Sequence, residues 1–202
     1  MADPQIYVVE GIPGSGKDLT IARLREELGD RLYWTFDEGE VLCSWKHYWL
    51  ENIDVLRVEL MDGLLAQVQI LLREEPDAVV LFNRFHISPI LWNKTPSLAL
   101  QHARIVARLR LLPTKVIVPM LERHEIQQRV EHPERREPAW RRHLRKRLQV
   151  TDFKDIGELY AADQQAIGRL LEDHALPYEV LHVDPRSGTV QREQPLSRFL
   201  AL

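Results

Sequence analysis

One stretch near the N-terminus constrains the fold more than any other: Gly11-Ile12-Pro13-Gly14-Ser15-Gly16-Lys17-Asp18. An apolar run, Ile6-Tyr7-Val8-Val9, precedes it, and a helical pattern from Leu19 to Leu28 follows. A buried strand that runs into a glycine-rich turn and then a helix is the opening unit of an α/β fold. The turn follows the pattern G-x-x-x-x-G-K-[ST], in which backbone N–H groups and a lysine cradle phosphates. The letters alone recur by chance in roughly several per cent of chains of this length, so the strand–helix setting carries the reading. Glycines let the backbone turn tightly with its N–H groups pointing inward. The helix start adds free donors and a positive dipole end, and Lys17 adds a point charge for the outer phosphates. Gly11, Pro13, Gly14, Ser15, Gly16 and Lys17 are therefore candidate phosphate-binding residues. Only the last position departs, with Asp18 where Ser or Thr is usual.

A chain of 202 residues is expected to form one α/β domain spanning residues 1–202. Its net charge of −3 does not suggest a nucleic-acid-binding surface. The single cysteine, Cys43, excludes an internal disulfide and a cysteine metal cluster. The start reads as a polar segment and a strand, not a secretion signal. No apolar run approaches a membrane span, so no membrane partner and a cytoplasmic location are expected.

Further apolar runs predict strands over residues 31–36, 77–82, 115–119 and 178–183. Helical periods fill the intervals: 17–28, 50–73, 96–112 and 153–174. A short helix is expected from about Leu196. Strands buried on both faces and alternating with helices predict a parallel, doubly wound sheet. The apolar stripe of residues 50–73 could support a homodimer.

In open parallel sheets, ligands bind beyond the carboxyl ends of the strands. There the sequence places Asp37-Glu38 after the second strand and Asn83-Arg84-Phe85 after the third. A cation beside a phosphate loop is well placed to hold phosphate or to stabilise transferring charge. Trp45, Tyr48 and Trp49 either wall a pocket for a planar ligand or pack as core. Residues 122–147 hold nine of the 27 Lys and Arg, interleaved with five Glu and three His. Most of these read as a solvated helix face. Arg129, Arg135 and Arg136 flank the break at His132-Pro133, where a closing lid would carry them.

The order of these parts resembles the P-loop nucleoside and nucleotide kinases, in particular the deoxynucleoside kinase and thymidylate kinase group. The resemblance rests on the phosphate loop, the acidic turn, Asn83-Arg84-Phe85, the arginines between Glu122 and Glu137, and Val183-Asp184-Pro185-Arg186. It implies a P-loop NTPase fold with a five-stranded parallel sheet in the order 2-3-1-4-5, sandwiched by helices, and an arginine-rich lid at about residues 122–147. It also implies phosphoryl transfer from ATP with Mg²⁺ to a small acceptor, most readily a nucleoside or nucleoside monophosphate. Another hydroxyl or phosphate metabolite, a modified base in DNA and a non-catalytic nucleotide-binding role remain open; nucleic acid is possible but not favoured.

The resemblance implies a role for each candidate. Lys17, Arg84, Arg129, Arg135 and Arg136 neutralise charge, and Asp37 or Glu38 acts on the acceptor proton. Asp18 and Glu38 are metal ligands, and Arg186 lies against the adenine. Arg84 and Phe85 are candidates to bind the acceptor, together with Trp45, Tyr48 and Trp49 where these wall a pocket and do not pack as core. Two letters depart from the family pattern: Asp18, although the same Gly-Lys-Asp ending occurs in phosphomevalonate kinases and some bacteriophage deoxynucleotide kinases, and Asn83 in place of an acidic residue.

Overall fold

The computed structural model describes residues 5–93, 95–132, 137–183 and 190–191. Five parallel strands, β1 (Ile6–Val9), β2 (Tyr33–Phe36), β3 (Val79–Asn83), β4 (Thr114–Pro119) and β5 (Tyr178–Val183), lie in the order β2-β3-β1-β4-β5. This is the order that the family resemblance implies. One addition is β6 (Val190–Gln191), a two-residue strand pairing antiparallel with β5. The helices are α1 (Lys17–Leu28), α2 (Ile53–Glu74), α3 (Ile87–Trp92), α4 (Ala99–Arg110), α5 (Arg123–Glu131), α6 (Pro138–Gln149) and α7 (Ile156–His174). Among the described residues no helix is long and apolar enough to cross a membrane. The expected C-terminal helix from Leu196 lies outside the described residues.

Alternation along the strands sorts side chains to the two sheet faces. Val9, Val79, Leu81 and Ile117 meet Ile21, Leu24 and Leu28 of α1. Ile6, Val8, Val80, Phe82, Val116 and Val118 join the larger core that contains Met61 and Leu65 of α2, Ile105 and Leu109 of α4, and Leu159 and Ile167 of α7. Helix α3 was not evident in the sequence, because it has only six residues and Pro89 lies in its first turn. Proline is tolerated there because those N–H groups lack intrahelical acceptors in any case. The basic stretch forms two helices, α5 and α6.

Because β1 lies between β3 and β4, the chain reverses direction across the sheet at the end of β1. The neighbouring order β2-β3-β1 brings three loops side by side, and they carry Glu38, Arg84 and Lys17. Two bonds anchor the β2 loop. Arg57, buried in α2, donates from Nε to the Leu42 carbonyl at 2.7 Å, and the Cys43 thiol donates to the Phe85 carbonyl at 3.3 Å.

Behind this edge, His86 at the start of α3, His102 on α4 and His174 at the end of α7 gather in the interior. The rings of His86 and His174 lie 5.2 Å apart. Both ring nitrogens of His86 and of His102 are buried without a hydrogen-bond partner. Burial lowers the pKa of all three. The charges of His174 and His102 lower His86 further, and that of Arg110 lowers His174, while Asp54 opposes the shift at His102 and Asp173 that at His174. The unfolded chain therefore binds more protons than the folded one as pH falls below the ordinary histidine value, and stability is lost in that direction. The limiting slope is about 1.4 kcal/mol per pH unit for each group. Urea unfolding between pH 7 and 5 should show this loss, and His86→Gln should flatten it. An unchanged slope in the variant would exclude His86 as a source.

Candidate active site

The phosphate loop is shaped by backbone requirements at two glycines. Gly14 has φ +83°, and a Cβ there would come within 3.3 Å of the Arg129 backbone on α5. At Gly11 a Cβ would come within 3.0 Å of the Pro119 carbonyl at the end of β4. Only glycine permits these approaches. Helix α1 begins at Gly16 with no side-chain cap, which leaves its first N–H groups free for an anion.

Lys17 is buried, and its Nζ donates to the Ile12 carbonyl at 3.2 Å. Burial, followed by the Arg84 charge, lowers its pKa to about 7, against the pull of Glu38, Asp18 and Glu10. An ammonium held this near neutrality gains from any anion placed beside it.

Next to the loop lies a cavity of about 270 Å³. Pro13, Gly14, Gly16, Lys17 and Asp18 form its phosphate-loop end, and Arg129 faces them from α5. Glu38, Arg84, Trp45 and Tyr48 line it further along. Arg84 adopts a left-handed backbone with φ +67°, strained for a residue with a Cβ. Its Nε donates to Glu38 Oε2 at 2.8 Å and its Nη1 to Ser88 Oγ at 2.7 Å. Ser88 Oγ in turn donates to Glu10 Oε2 at 2.6 Å. The Glu10 carboxylate is wholly buried and also accepts from the Phe85, Ile87 and Ser88 N–H groups. It caps α3 from a distant strand and fixes the turn that presents Arg84.

Other candidates lie elsewhere. Asp37 is exposed outside the cavity, and its N–H donates to Glu40 Oε2 at 2.7 Å. Phe85, expected in the acceptor wall, is a core residue: its ring is fully buried 4.3 Å from that of Phe82. The turn points its side chain inward, while its N–H serves Glu10. Trp49 stands behind the wall and donates from Nε1 to His143 Nδ1 at 3.0 Å. Gly11 and Ser15 are buried and do not line the cavity. Arg135, Arg136 and Arg186 lie outside the described residues.

Several lining residues were missed by the sequence reading: Trp92, Trp140, His143, Arg147 and Tyr160. A signal existed for three of them. Trp140, His143, Leu144 and Arg147 recur at helical spacing as the buried stripe of α6, whereas Arg141, Arg142, Arg145 and Lys146 are exposed. The solvated-face reading thus holds for those four arginines and lysines and fails for Arg147. Arg147 packs over the rings of Tyr48 and Tyr160, at 5.3 and 5.0 Å, and its Nη2 donates to Asp163 Oδ2 at 3.1 Å. Trp92 lies beside two guanidinium groups, 5.6 Å from that of Arg57 and 5.2 Å from that of Arg84.

No family model matches the sequence, and no curated protein matches it. Solved structures do match. The thymidylate kinase of Candida albicans aligns over 100% of this chain and 89% of its own, with TM-score 0.56 and 13% identity. YorR of Bacillus subtilis, solved with phosphorylated GDP, aligns over 87% of this chain and 84% of its own, with TM-score 0.50 and 15% identity. The chain shares the α/β fold of these two proteins. At such low identity the likeness concerns the fold, and the chemistry must be argued from this chain's own residues.

The Glu10–Ser88–Arg84 chain yields a stability prediction. Ser88→Ala removes a buried hydrogen bond to a carboxylate and should cost about 1.5–3 kcal/mol in urea unfolding. A change below about 0.5 kcal/mol, the usual range of a surface substitution, would mean that the network does not hold the turn.

Proposed function

We propose that the protein is an ATP-dependent kinase, built as one domain with a lid near residues 122–147, that transfers the γ-phosphoryl group to a nucleoside or nucleoside monophosphate. The observation that carries this reading is the convergence of Lys17, Asp18, Glu38, Arg84 and Arg129 on one cavity at the carboxyl ends of β1, β2 and β3. Phosphoryl transfer needs positioning and charge neutralisation more than covalent chemistry, and these residues supply both. The loop amides and Lys17 hold the β- and γ-phosphates of ATP. Arg129 and Arg84 balance the charge that develops on the transferring group. Glu38 is the carboxylate within reach of an acceptor in the cavity. Arg135 and Arg136 would join from the lid, and Arg186 would lie near the adenine.

The residues fit a Mg²⁺ ion. Asp18 is exposed at the cavity, and its Oδ1 accepts from Asn83 Nδ2 at 3.0 Å, which orients the carboxylate. Mg²⁺ takes one or two carboxylates and completes its shell with phosphate oxygens and water. Asp18 would hold it, with Glu38 the second candidate, and the ion would offset charge on the phosphates.

The same hydrogen bond relates the two unusual letters. Where the family resemblance leads one to expect a hydroxyl at position 18 and a carboxylate at 83, this chain has a carboxylate at 18 and a neutral amide at 83. One negative charge is kept and its carrier exchanged. Asn83→Asp alone would set two carboxylates against each other, and Asp18→Ser alone would leave none. Each should lower kcat/KM for MgATP by at least about tenfold, roughly 1.4 kcal/mol. The double variant should recover most of the loss. Additive losses would rule out the exchange.

The central test is acceptor-dependent ADP release in wild type and Lys17→Ala. Loss of at least about a hundredfold is expected on removal of the phosphate-binding charge, whereas equal rates would reject the kinase reading.

A further inference from the structure

We propose that the outer face of α6 binds single-stranded nucleic acid through its phosphates. The surface lies behind the cavity wall, and its role does not depend on the kinase reading. Helix α6 contains five Arg and Lys and no Asp or Glu. Arg147 turns inward to Asp163, whereas Arg141, Arg142, Arg145 and Lys146 stand exposed together on the opposite face. A solvated helix face is usually laced with oppositely charged residues four apart. Here the pairs at that spacing, Arg141 with Arg145 and Arg142 with Lys146, are of like charge, which works against the helix. None of the four forms an ion pair among the described residues. Exposed arginines elsewhere do so, Arg23 with Glu27 and Arg73 with Glu74. The net charge of −3 therefore conceals a local cationic face.

The chemistry of the face selects its partner. A basic amphipathic helix that lies on a membrane needs a free apolar side. In α6 that side is already used: Trp140 and Leu144 are buried in the core, and Leu148 packs against it. Guanidinium forks suit phosphate oxygens. The face also offers a ring, because Lys146 Nζ lies 4.0 Å over the half-buried Trp49. Cations beside an aromatic ring suit single strands, whose bases have faces free to stack. Lys46 adds an exposed cation in the loop after β2, next to Trp45, whose ring lies 5.3 Å from that of Trp140. Trp140, His143 and Arg147 of the same helix line the cavity. A strand along the outer face would therefore pass about one helix diameter, ~10 Å, from it.

The test is fluorescence anisotropy of a labelled oligothymidylate of about 20 nucleotides, titrated with the full chain at several NaCl concentrations. Four phosphate contacts on a single strand give a slope of log K against log salt of about −3. Absence of binding at low salt, or a slope near zero, would overturn the proposal. Arg141→Gln with Arg145→Gln should weaken binding at least about tenfold at moderate salt. These exposed changes should leave the fold intact, which far-UV circular dichroism checks. Arg73→Glu makes the same change in net charge on α2 and should leave binding as it is. Equal weakening by both variants would mean that net charge, not this face, attracts the strand. Displacement of the strand by excess MgATP would place it on the phosphate loop and reject the α6 site. Equal competition by polyglutamate, tighter binding to phosphatidylserine vesicles, or equal affinity for a duplex of the same length would each reject single-stranded nucleic acid as the partner.

Discussion

The buried carboxylate of Glu10 is the interaction on which the site depends. It directly follows β1, the strand that delivers the phosphate loop, and it accepts three backbone N–H groups and a hydroxyl from the turn after β3 and the start of α3. A carboxylate with no exposure is tolerable only when so fully hydrogen-bonded. In return it locks two neighbouring loops to each other. It holds the turn in which Arg84 occupies a left-handed conformation, and through Ser88 it holds the guanidinium that grips Glu38. Strain at Arg84 is thus sustained by burial and hydrogen bonding a few ångströms away.

Sheet order turns this local lock into a site. β3 lies between β2 and β1, so the residue after β3 must face both the phosphate loop and the acidic turn. Arg84 bridges the two regions: it contributes to lowering the pKa of Lys17 on one side and pairs with Glu38 on the other. Asn83, one residue earlier, reaches Asp18. Two adjacent residues at one strand end thereby organise both carboxylates facing the cavity.

The wall opposite is built differently. Trp140, His143 and Arg147 come from one face of α6, and Tyr160 and Asp163 from α7. Trp49 and Trp45 pack around His143 and Trp140. Aromatic rings and paired charges make up this wall, across the cavity from Lys17 and Asp18.

The sequence by itself determined the strands, most of the helices and the phosphate loop. Short apolar runs bounded by turn residues fit strands buried in a parallel sheet, and a glycine-rich turn before a helix has few other uses. Runs of charge near strand ends also marked Glu38, Arg84 and Arg129 as candidates, because parallel strands send their ends to one side of the sheet. Tertiary structure decided what periodicity does not encode. It directed Glu38 into the cavity and Asp37 to solvent, one residue apart, because the Arg57 and Cys43 anchors fix how the loop after β2 turns. It sent Phe85 to the core and its neighbour Arg84 to the site, since a left-handed residue at the turn redirects the side chain that follows. It also withdrew Arg147 from a helix whose other basic residues are solvated, because Asp163 and two tyrosine rings wait on α7 and α2's approach, partners distant in sequence. Local pattern identifies which residues are charged or apolar; only packing decides which charges face each other.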